Sequence, residues 1–280
     1  MSSLKRMLAV LDLFSEDAPV WTAEGVIDRL GYSRPTGYRY MRELCAAGLL
    51  RRSTGALYVL GTRVIELDYQ IRVTDPALIA GRRVMRALAA DTGCDVMLAS
   101  LFGDHVVTVH QEHGSEGVSA TYGRGRRLPL YRGMMSKTIL ASLPRARLRR
   151  LYNLDPKAAA KAGFARDWDE LVDRLKDIRA EGHCVTRGEL DPGLVGTGVP
   201  VLVDRGQPPG SLGVVMSKQR FALTDQARLV ALLHEAAARI GAALPEAPAP
   251  NRAVAVVRRG VGGRTGARRD AEQKRRTAAG

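Results

Sequence analysis

Three things are scarce in this chain, and each absence narrows what it can be. No apolar run approaches the roughly 18 residues that a membrane-spanning helix needs. The N-terminal Met1-Ser-Ser-Leu-Lys-Arg6 leads straight into an amphipathic pattern, not an apolar signal segment. The expected location is therefore the cytoplasm, with no membrane partner. Cysteine is sparse: Cys45, Cys94 and Cys184 are far apart and odd in number. They give neither a disulfide framework nor metal-ligand spacing, and each reads as a small buried hydrophobe.

Catalytic constellations are absent too. Gly133-Met-Met-Ser-Lys-Thr138 brushes against a phosphate-loop pattern, but Tyr131 and Ser136 stand where that motif requires glycine. Gly193, Gly196 and Gly198 are not in dinucleotide-binding order. Ser136 and Lys137 are adjacent, so on a helix they point apart and make no nucleophile–base pair. His105, His110 and His113 have Asp104 and Glu112 near in sequence, yet the pattern reads as a half-exposed strand before it reads as a metal site. No enzymatic activity, metal or cofactor is expected.

What is present is enough for two domains: 280 residues, of which 45% are hydrophobic. Formal net charge is +14. Residues 1–61 carry eight Lys/Arg against six acids, residues 62–244 carry 26 against 20, and residues 245–280 carry nine against three. This balance favours a polyanionic partner. The last segment has three prolines in its first six positions, then Arg, Gly and Ala, and no buried-face pattern. It reads as a basic disordered tail, either a solubilising segment or one that adds sequence-independent phosphate contacts.

The most informative stretch runs from Thr22 to Gly61. Thr22 can cap a short helix whose Ala23, Val26, Ile27 and Leu30 share a face, and Gly31 ends it. Ser33 can cap a second helix, with Pro35 in its first turn and Gly48 after its last. On that helix Gly37, Tyr40, Met41, Leu44 and Cys45 fall on one side, a face to bury. The opposite stripe holds Tyr38, Arg39 and Arg42, with Arg34 and Thr36 at the N-terminal end, and no acid. Such a surface suits phosphates and base edges. Leu49–Leu60 then reads as two strands joined at Ser53-Thr-Gly55, with Arg51 and Arg52 placed to reach phosphates. Helix, tight turn, helix and arginine-tipped hairpin make a winged helix-turn-helix over residues 1–61. Leu4 to about Ser15 supplies the preceding helix.

The remainder is read as follows. Residues 62–75 form a linker helix whose exposed apolar positions suit pairing with a second copy. Helices are expected at 77–92, 133–143, 145–152 and 169–180, and a last one from a Thr224 cap to Leu244. Strands are expected at 96–101, 105–110, 118–122, 197–203 and 211–216, with loops at 123–129 and 206–210. The natural packing is α+β: an antiparallel sheet flanked by helices over 76–244.

Several stretches, in order, are similar to the IclR family of bacterial transcriptional regulators. They are the Ser33–Leu50 segment with Thr36-Gly-Tyr-Arg39, the wing ending Tyr58-Val-Leu-Gly61, and Gly125-Arg-Arg-Leu-Pro-Leu130 leading into Ser136-Lys-Thr-Ile-Leu-Ala141. Ile178-Arg-Ala-Glu-Gly182 and Glu189-Leu-Asp-Pro-Gly193 running on to Val199-Pro-Val201 complete the set. The resemblance implies a GAF-like effector domain and a dimer or tetramer on palindromic double-stranded DNA. It also implies a small-molecule effector held by Met134, Met135, Thr186, Gly196, Val215 and Ser217, with Lys137 structural. The chain departs from the family at several of these positions. Met134 and Met135 stand where small residues are usual, Thr186 replaces a frequent acid, Gly196 a frequent Cys and Val215 a frequent Ser. The expected effector is therefore larger and less polar than a small carboxylate, or the pocket has lost its ligand. Gly37 stands where a β-branched residue is preferred. A mid-helix glycine costs about 1 kcal/mol against Ala, so the helix is expected to order fully on DNA. Two rival readings are a ligand-sensing or enzymatic domain that keeps the DNA-binding module as scaffold, and a non-specific nucleic-acid-binding protein.

Overall fold

The computed structural model describes residues 2–118, 120–202 and 210–243. The tail read at 245–280 and most of the 206–210 loop lie outside the described residues. The chain begins with α1 (Ser3–Leu8), which passes into a 3-10 turn at Leu11–Leu13 and does not continue as one helix to Ser15. Val10, Leu13 and Phe14 bond to carbonyls only three residues back, which tightens the helix and ends it.

β1 (Trp21–Thr22) leads into α2 (Ala23–Leu30). The Thr22 hydroxyl accepts from the Gly25 N–H at 3.0 Å, and Gly31 closes the helix at φ 63°. α3 (Arg34–Ala46) follows after a short turn. Ser33 sits at the cap position, but its hydroxyl donates to Thr36 Oγ1 at 2.9 Å and leaves the backbone uncapped. β2 (Leu50–Arg52) and β3 (Leu57–Leu60) form the wing, and β1 joins them in the antiparallel order β1-β3-β2. A core of Val10, Ala23, Val26, Met41, Leu44, Leu50 and Tyr58 holds these pieces together.

Gly37 has a packing reason. A Cβ built there would lie 2.2 Å from Ile27 Cγ1, so α2 and α3 approach at that point as only glycine allows. α3 runs unbroken through Gly37.

α4 (Arg63–Thr74) and α5 (Pro76–Thr92) carry the chain to a six-stranded antiparallel sheet. Its members are β4 (Asp95–Phe102), β5 (His105–Glu112), β6 (Arg127–Leu128), β7 (Cys184–Arg187), β8 (Leu194–Val201) and β9 (Gly210–Ser217). The order across the sheet is β6-β5-β4-β9-β8-β7. Between β6 and β7 come α6 (Met134–Ser142), α7 (Arg145–Tyr152), the short α8 (Ala158–Lys161) and α9 (Trp168–Glu181). After β9 come α10 (Lys218–Leu223) and α11 (Gln226–Ala242).

The period of two sorts side chains between two cores. Met97, Ala99, Leu101 and Val215 face α6, α7 and α9. Val96, Leu98, Val195, Val199, Leu212 and Val214 face α5 and α11. This is the α+β arrangement expected from the sequence.

Three details differ from expectation. The described residues of 118–122 are not a strand. Arg127–Leu128, read as loop, pairs instead with Val106 and Val107. Gly125, at φ 84°, turns the chain back, and Thr108 fixes it by accepting from Gly125 N–H and donating to the Arg126 carbonyl. Edge strand β7 was not anticipated. α11 is capped by Asp225, whose carboxylate accepts from Arg228 N–H at 3.0 Å, while the Thr224 hydroxyl donates back to the Arg220 carbonyl. Among the described residues no helix is long and apolar enough to cross a membrane.

The Gly37 packing makes a test. Gly37→Ala should lower thermal stability by about 1–3 kcal/mol through overpacking against Ile27, despite alanine's better helix propensity. A rise in the unfolding midpoint would show that propensity, not packing, governs the position.

Candidate functional site

The first candidate surface lies on α3 and the wing. Burial of Gly37, Tyr40, Met41 and Leu44 turns the other side of α3 outward. Arg34, Tyr38, Arg39, Arg42, Arg51 and Arg52 are exposed, and Thr36 is half-buried. Arg34 and Arg51 make no ion pair among the described residues. Arg39 lies over the Tyr40 ring at 5.6 Å and Arg52 over Tyr58 at 5.8 Å, so both guanidiniums are held by aromatic faces and keep their hydrogen-bond donors available. Arg42 pairs only with its neighbour Glu43, at 3.3 Å with both side chains mostly exposed, a contact worth little.

Tyr38 behaves differently from the rest. Its hydroxyl donates to the carboxylate of Glu24 on α2. That bond holds the Glu24 carboxyl below its ordinary range and pushes the Tyr38 phenol up. The stripe itself carries no acid, but Glu43 of α3 lies beside it against Arg42, and the fold brings Glu24 beside Tyr38 from the neighbouring helix.

The second candidate is a pocket on the α6 face of the sheet. Met134, Met135, Thr186, Gly196 and Val215 all line it. Ser217 does not; its hydroxyl accepts from Arg220 N–H at 3.2 Å and caps α10. Ser217 ends β9 where the chain turns into a helix, so capping claims its side chain.

Met134 lies on a floor of glycines. A Cβ at Gly196, Gly198 or Gly213 would come within 2.6, 2.8 or 2.7 Å of its side chain. The large residue on the helix and the missing side chains on the strands are complementary. The space left is about 40 Å³, room for only a few waters.

The polar groups around the pocket are largely committed. Glu189 accepts from Lys137 Nζ at 2.6 Å and from Gly133 N–H at 2.9 Å, at the start of α6. Lys137 is buried, with its ammonium 4.4 Å from the centre of the Phe164 ring. Arg132 donates to the Glu189 carbonyl. Asp191 accepts from Thr121 N–H at 3.1 Å and from the Thr121 hydroxyl. Ser136, fully buried at the pocket wall, has a hydroxyl with no hydrogen-bond partner among the described residues. Glu189, Arg132, Asp191, Tyr122 and Ser136 were not anticipated as lining residues. The Glu189-Leu-Asp-Pro-Gly193 stretch was the available signal.

The histidines have local partners. His110 meets Glu112 at 2.9 Å, His113 meets the buried Asp95 at 3.1 Å, and His105 meets Asp104 at 2.9 Å. Burial pulls the His110 imidazole below its ordinary pKa, against the pull of Glu112. Among the described residues no group of three or more His, Cys, Asp and Glu side chains is placed to hold a metal ion.

A winged helix-turn-helix joined through a helix to a pocketed sheet domain is the architecture of a ligand-responsive transcriptional regulator. Comparison with known proteins agrees. Residues 76–242 match the family model described as the bacterial transcriptional regulator IclR C-terminal domain, and residues 3–54 match the IclR helix-turn-helix domain. The chain is 26% identical over 215 residues to the Pca regulon regulatory protein of Pseudomonas putida, covering 76% of this chain and 74% of that protein. An IclR family transcriptional regulator from Brucella abortus superposes with a TM-score of 0.72 at 20% identity, covering 88% of this chain and 93% of the other. An IclR homolog from Microbacterium hydrocarbonoxydans, complexed with 4-hydroxybenzoate, gives 0.62 at 23% identity, covering 87% and 99%. The chain belongs to the IclR family of bacterial transcriptional regulators. It combines a helix-turn-helix DNA-binding domain with an effector-binding C-terminal domain.

The buried ion pair beside the pocket makes the next test. Glu189→Ala strips Lys137 of its counter-charge and the Gly133 N–H of its acceptor, which should destabilise the chain by about 2–4 kcal/mol. Adding Lys137→Met should recover part of that loss in a denaturant titration. No recovery would mean that Glu189 acts through the loop backbone, not through the pair.

Proposed function

We propose that this chain binds an inverted-repeat operator as a dimer, or as a pair of dimers, and releases or tightens on it when a weakly polar small molecule enters the α6 pocket. The observation that carries the DNA reading is the two-sidedness of α3. The helix buries its apolar face and turns Arg34, Thr36, Arg39 and Arg42 to solvent with no acid of its own between them. Tyr38 adds a ring at the same surface, and Arg51 and Arg52 extend it along the wing. α3 spans 13 residues, enough for one major-groove contact, so affinity has to come from symmetric repetition.

Self-association has a candidate surface. On α4, Ile65 is 71% and Tyr69 60% exposed, one helical turn apart, and Ile71 and Val73 are exposed beside them. An apolar stripe of this kind marks a protein contact. The division that fits is 1–61 for DNA, 62–75 for the linker helix and 76–244 for the effector.

The pocket's chemistry bears on the effector. Met134, Met135, Thr186, Gly196 and Val215 present a thioether, a methyl and little charge. The lysine and the helix-start N–H that would otherwise hold a carboxylate are already taken by Glu189. The Ser136 hydroxyl, with no hydrogen-bond partner among the described residues, is one polar group left to a ligand. A neutral, flat ligand with a hydroxyl or carbonyl fits this set, and Met134, unbranched and flexible, is the side chain that must swing to admit it.

Two experiments test the proposal. Selection from a random-duplex library near physiological salt should enrich an inverted repeat, and Arg39→Ala should cost about 1–3 kcal/mol on the selected site if Arg39 reads a base. Tight, steeply salt-dependent binding with no enrichment would reduce the interaction to charge alone. In a thermal-shift series, 4-hydroxybenzamide should stabilise the protein more than 4-hydroxybenzoate, and Met134→Ala should enlarge both shifts. A stronger response to the carboxylate would contradict the assignment of Glu189 as the internal occupant of the anion position.

A further inference from the structure

One loop touches the effector pocket at both ends and, between them, the linker helix and the N-terminal domain. It runs from Tyr122 to Leu128. Tyr122 and Leu128 line the pocket. Between them, Arg124 donates to Asp68 on α4 at 2.7 Å, Arg126 pairs with Glu16, and Arg127 donates to Asp12 at 3.2 Å. Asp12 lies in the 3-10 turn after α1, and Glu16 in the loop that follows.

The loop is stiff where it meets the sheet. Thr108, fully buried on β5, donates its hydroxyl to the Tyr122 carbonyl at 3.0 Å and bonds the loop backbone twice more, at Gly125 and Arg126. Its approach segment is tied across the pocket mouth by the Thr121–Asp191 bonds. Asp68 is doubly engaged, since Arg72 also donates to it at 2.6 Å. Burial pulls the Asp68 carboxyl up, but the Arg124 and Arg72 guanidiniums outweigh it and hold it below the usual carboxylate range.

We propose that the 122–128 loop is the strut that couples the pocket to the DNA-binding domain, with Arg124, Arg126 and Arg127 as its three grips. This rests on the DNA-binding and effector-binding reading above and names the element that transmits between the two sites. One exposed ion pair would be a weak hold. Three pairs from one loop, reaching α4, the 3-10 turn and the loop after it, hold against both rotation and sliding. Any ligand that moves Tyr122, Leu128 or Asp191 shifts the base of all three grips together. Coupling between two sites is ordinarily worth a 5- to 150-fold change in affinity. The charge that these arginines contribute is spent on acids within the chain, so they should not behave as DNA contacts.

The test uses the full-length protein and two independent readouts. The first needs no DNA. In hydrogen–deuterium exchange, Arg124→Gln/Arg126→Gln/Arg127→Gln should speed exchange in 11–17 and 63–74 and leave the β4–β9 strands unchanged. Asp191→Asn, which loosens the pocket wall alone, should speed exchange in 120–127 and 63–74. Unchanged exchange at 11–17 and 63–74 in the triple variant overturns the grips. Unchanged exchange at 63–74 in Asp191→Asn overturns the link to the pocket.

The second readout is affinity for the selected duplex. Arg127→Asp should change it by about threefold to tenfold, and adding Asp12→Arg should return it to within about twofold. Arg127→Asp with Glu235→Arg keeps the same net charge at a distance and should not restore it. Equal rescue by Glu235→Arg would show that bulk charge is responsible and overturn the strut. If no duplex is selected at all, the DNA reading fails while the exchange data still decide the loop's role.

Discussion

The carboxylate of Glu189 is the point on which the effector-side structure rests. It gives the buried Lys137 ammonium its counter-charge and accepts the Gly133 N–H at the start of α6. Its own carbonyl receives Arg132. An ammonium in that position without a partner would be strongly unfavourable, so the loop 188–193 and the helix are held at one relative position. The helix and loop walls of the pocket depend on that placement. Met134 is the first residue of α6, Leu190 and Asp191 follow Glu189, and Gly133 needs its positive φ of 81° to turn the chain into the helix. The same bond explains the pocket's chemistry, because it consumes the two groups that ordinarily make a helix start attractive to an anion.

Met134 illustrates why single-position reasoning is incomplete. Read alone, a methionine where small residues are usual suggests a closed or altered pocket, and Gly196 where a cysteine is usual suggests a lost polar contact. In three dimensions the two departures are one. The strands β8 and β9 present glycines at 196, 198 and 213, and the Met134 side chain lies against all three. Dense packing requires such volume exchange across facing elements. Gly37 follows the same logic in the N-terminal domain, where Ile27 of α2 occupies the space a side chain on α3 would take. Its helix-propensity cost is offset by a closer approach of the two helices.

Much of the fold was legible because it is written in periodicity. The caps at Thr22, Gly31 and Gly48, the buried face of α3, the alternation in β4 and β5 and the amphipathic α9 each carry a local pattern long enough to recognise. What escaped recognition was short or depended on partners. β6 is two residues, and β7 is a four-residue edge strand with a single neighbour. The cap of α11 moved by one residue because Asp225, not Thr224, faces the free N–H. Of the effector-pocket positions inferred from the family resemblance, five line one cavity and Ser217 does not, since its hydroxyl caps α10. The exposed stripe of α3 was readable from one helix, but the Tyr38–Glu24 bond joins two helices and leaves no mark on either pattern.

The arginines show the limit of charge as a guide. A formal charge of +14 points toward a polyanion, and the totals treat every arginine alike. The fold separates them by what they already hold. Arg124, Arg126 and Arg127 are paired with acids on other elements. Arg179 donates to the carbonyls of Ala141 and Leu143, and Arg149 lies 3.8 Å over the Trp168 ring. Arg34 and Arg51 have no such ties, and Arg39 and Arg52 rest on aromatic faces with their donors free. An arginine engaged by a carboxylate has to break that bond before it can meet a phosphate, so the arginines of α3 and the wing are readier for such a contact than those of the 122–128 loop. A uniformly basic surface can slide in any register, whereas a few free guanidiniums on one helix fix the register in which it meets the groove.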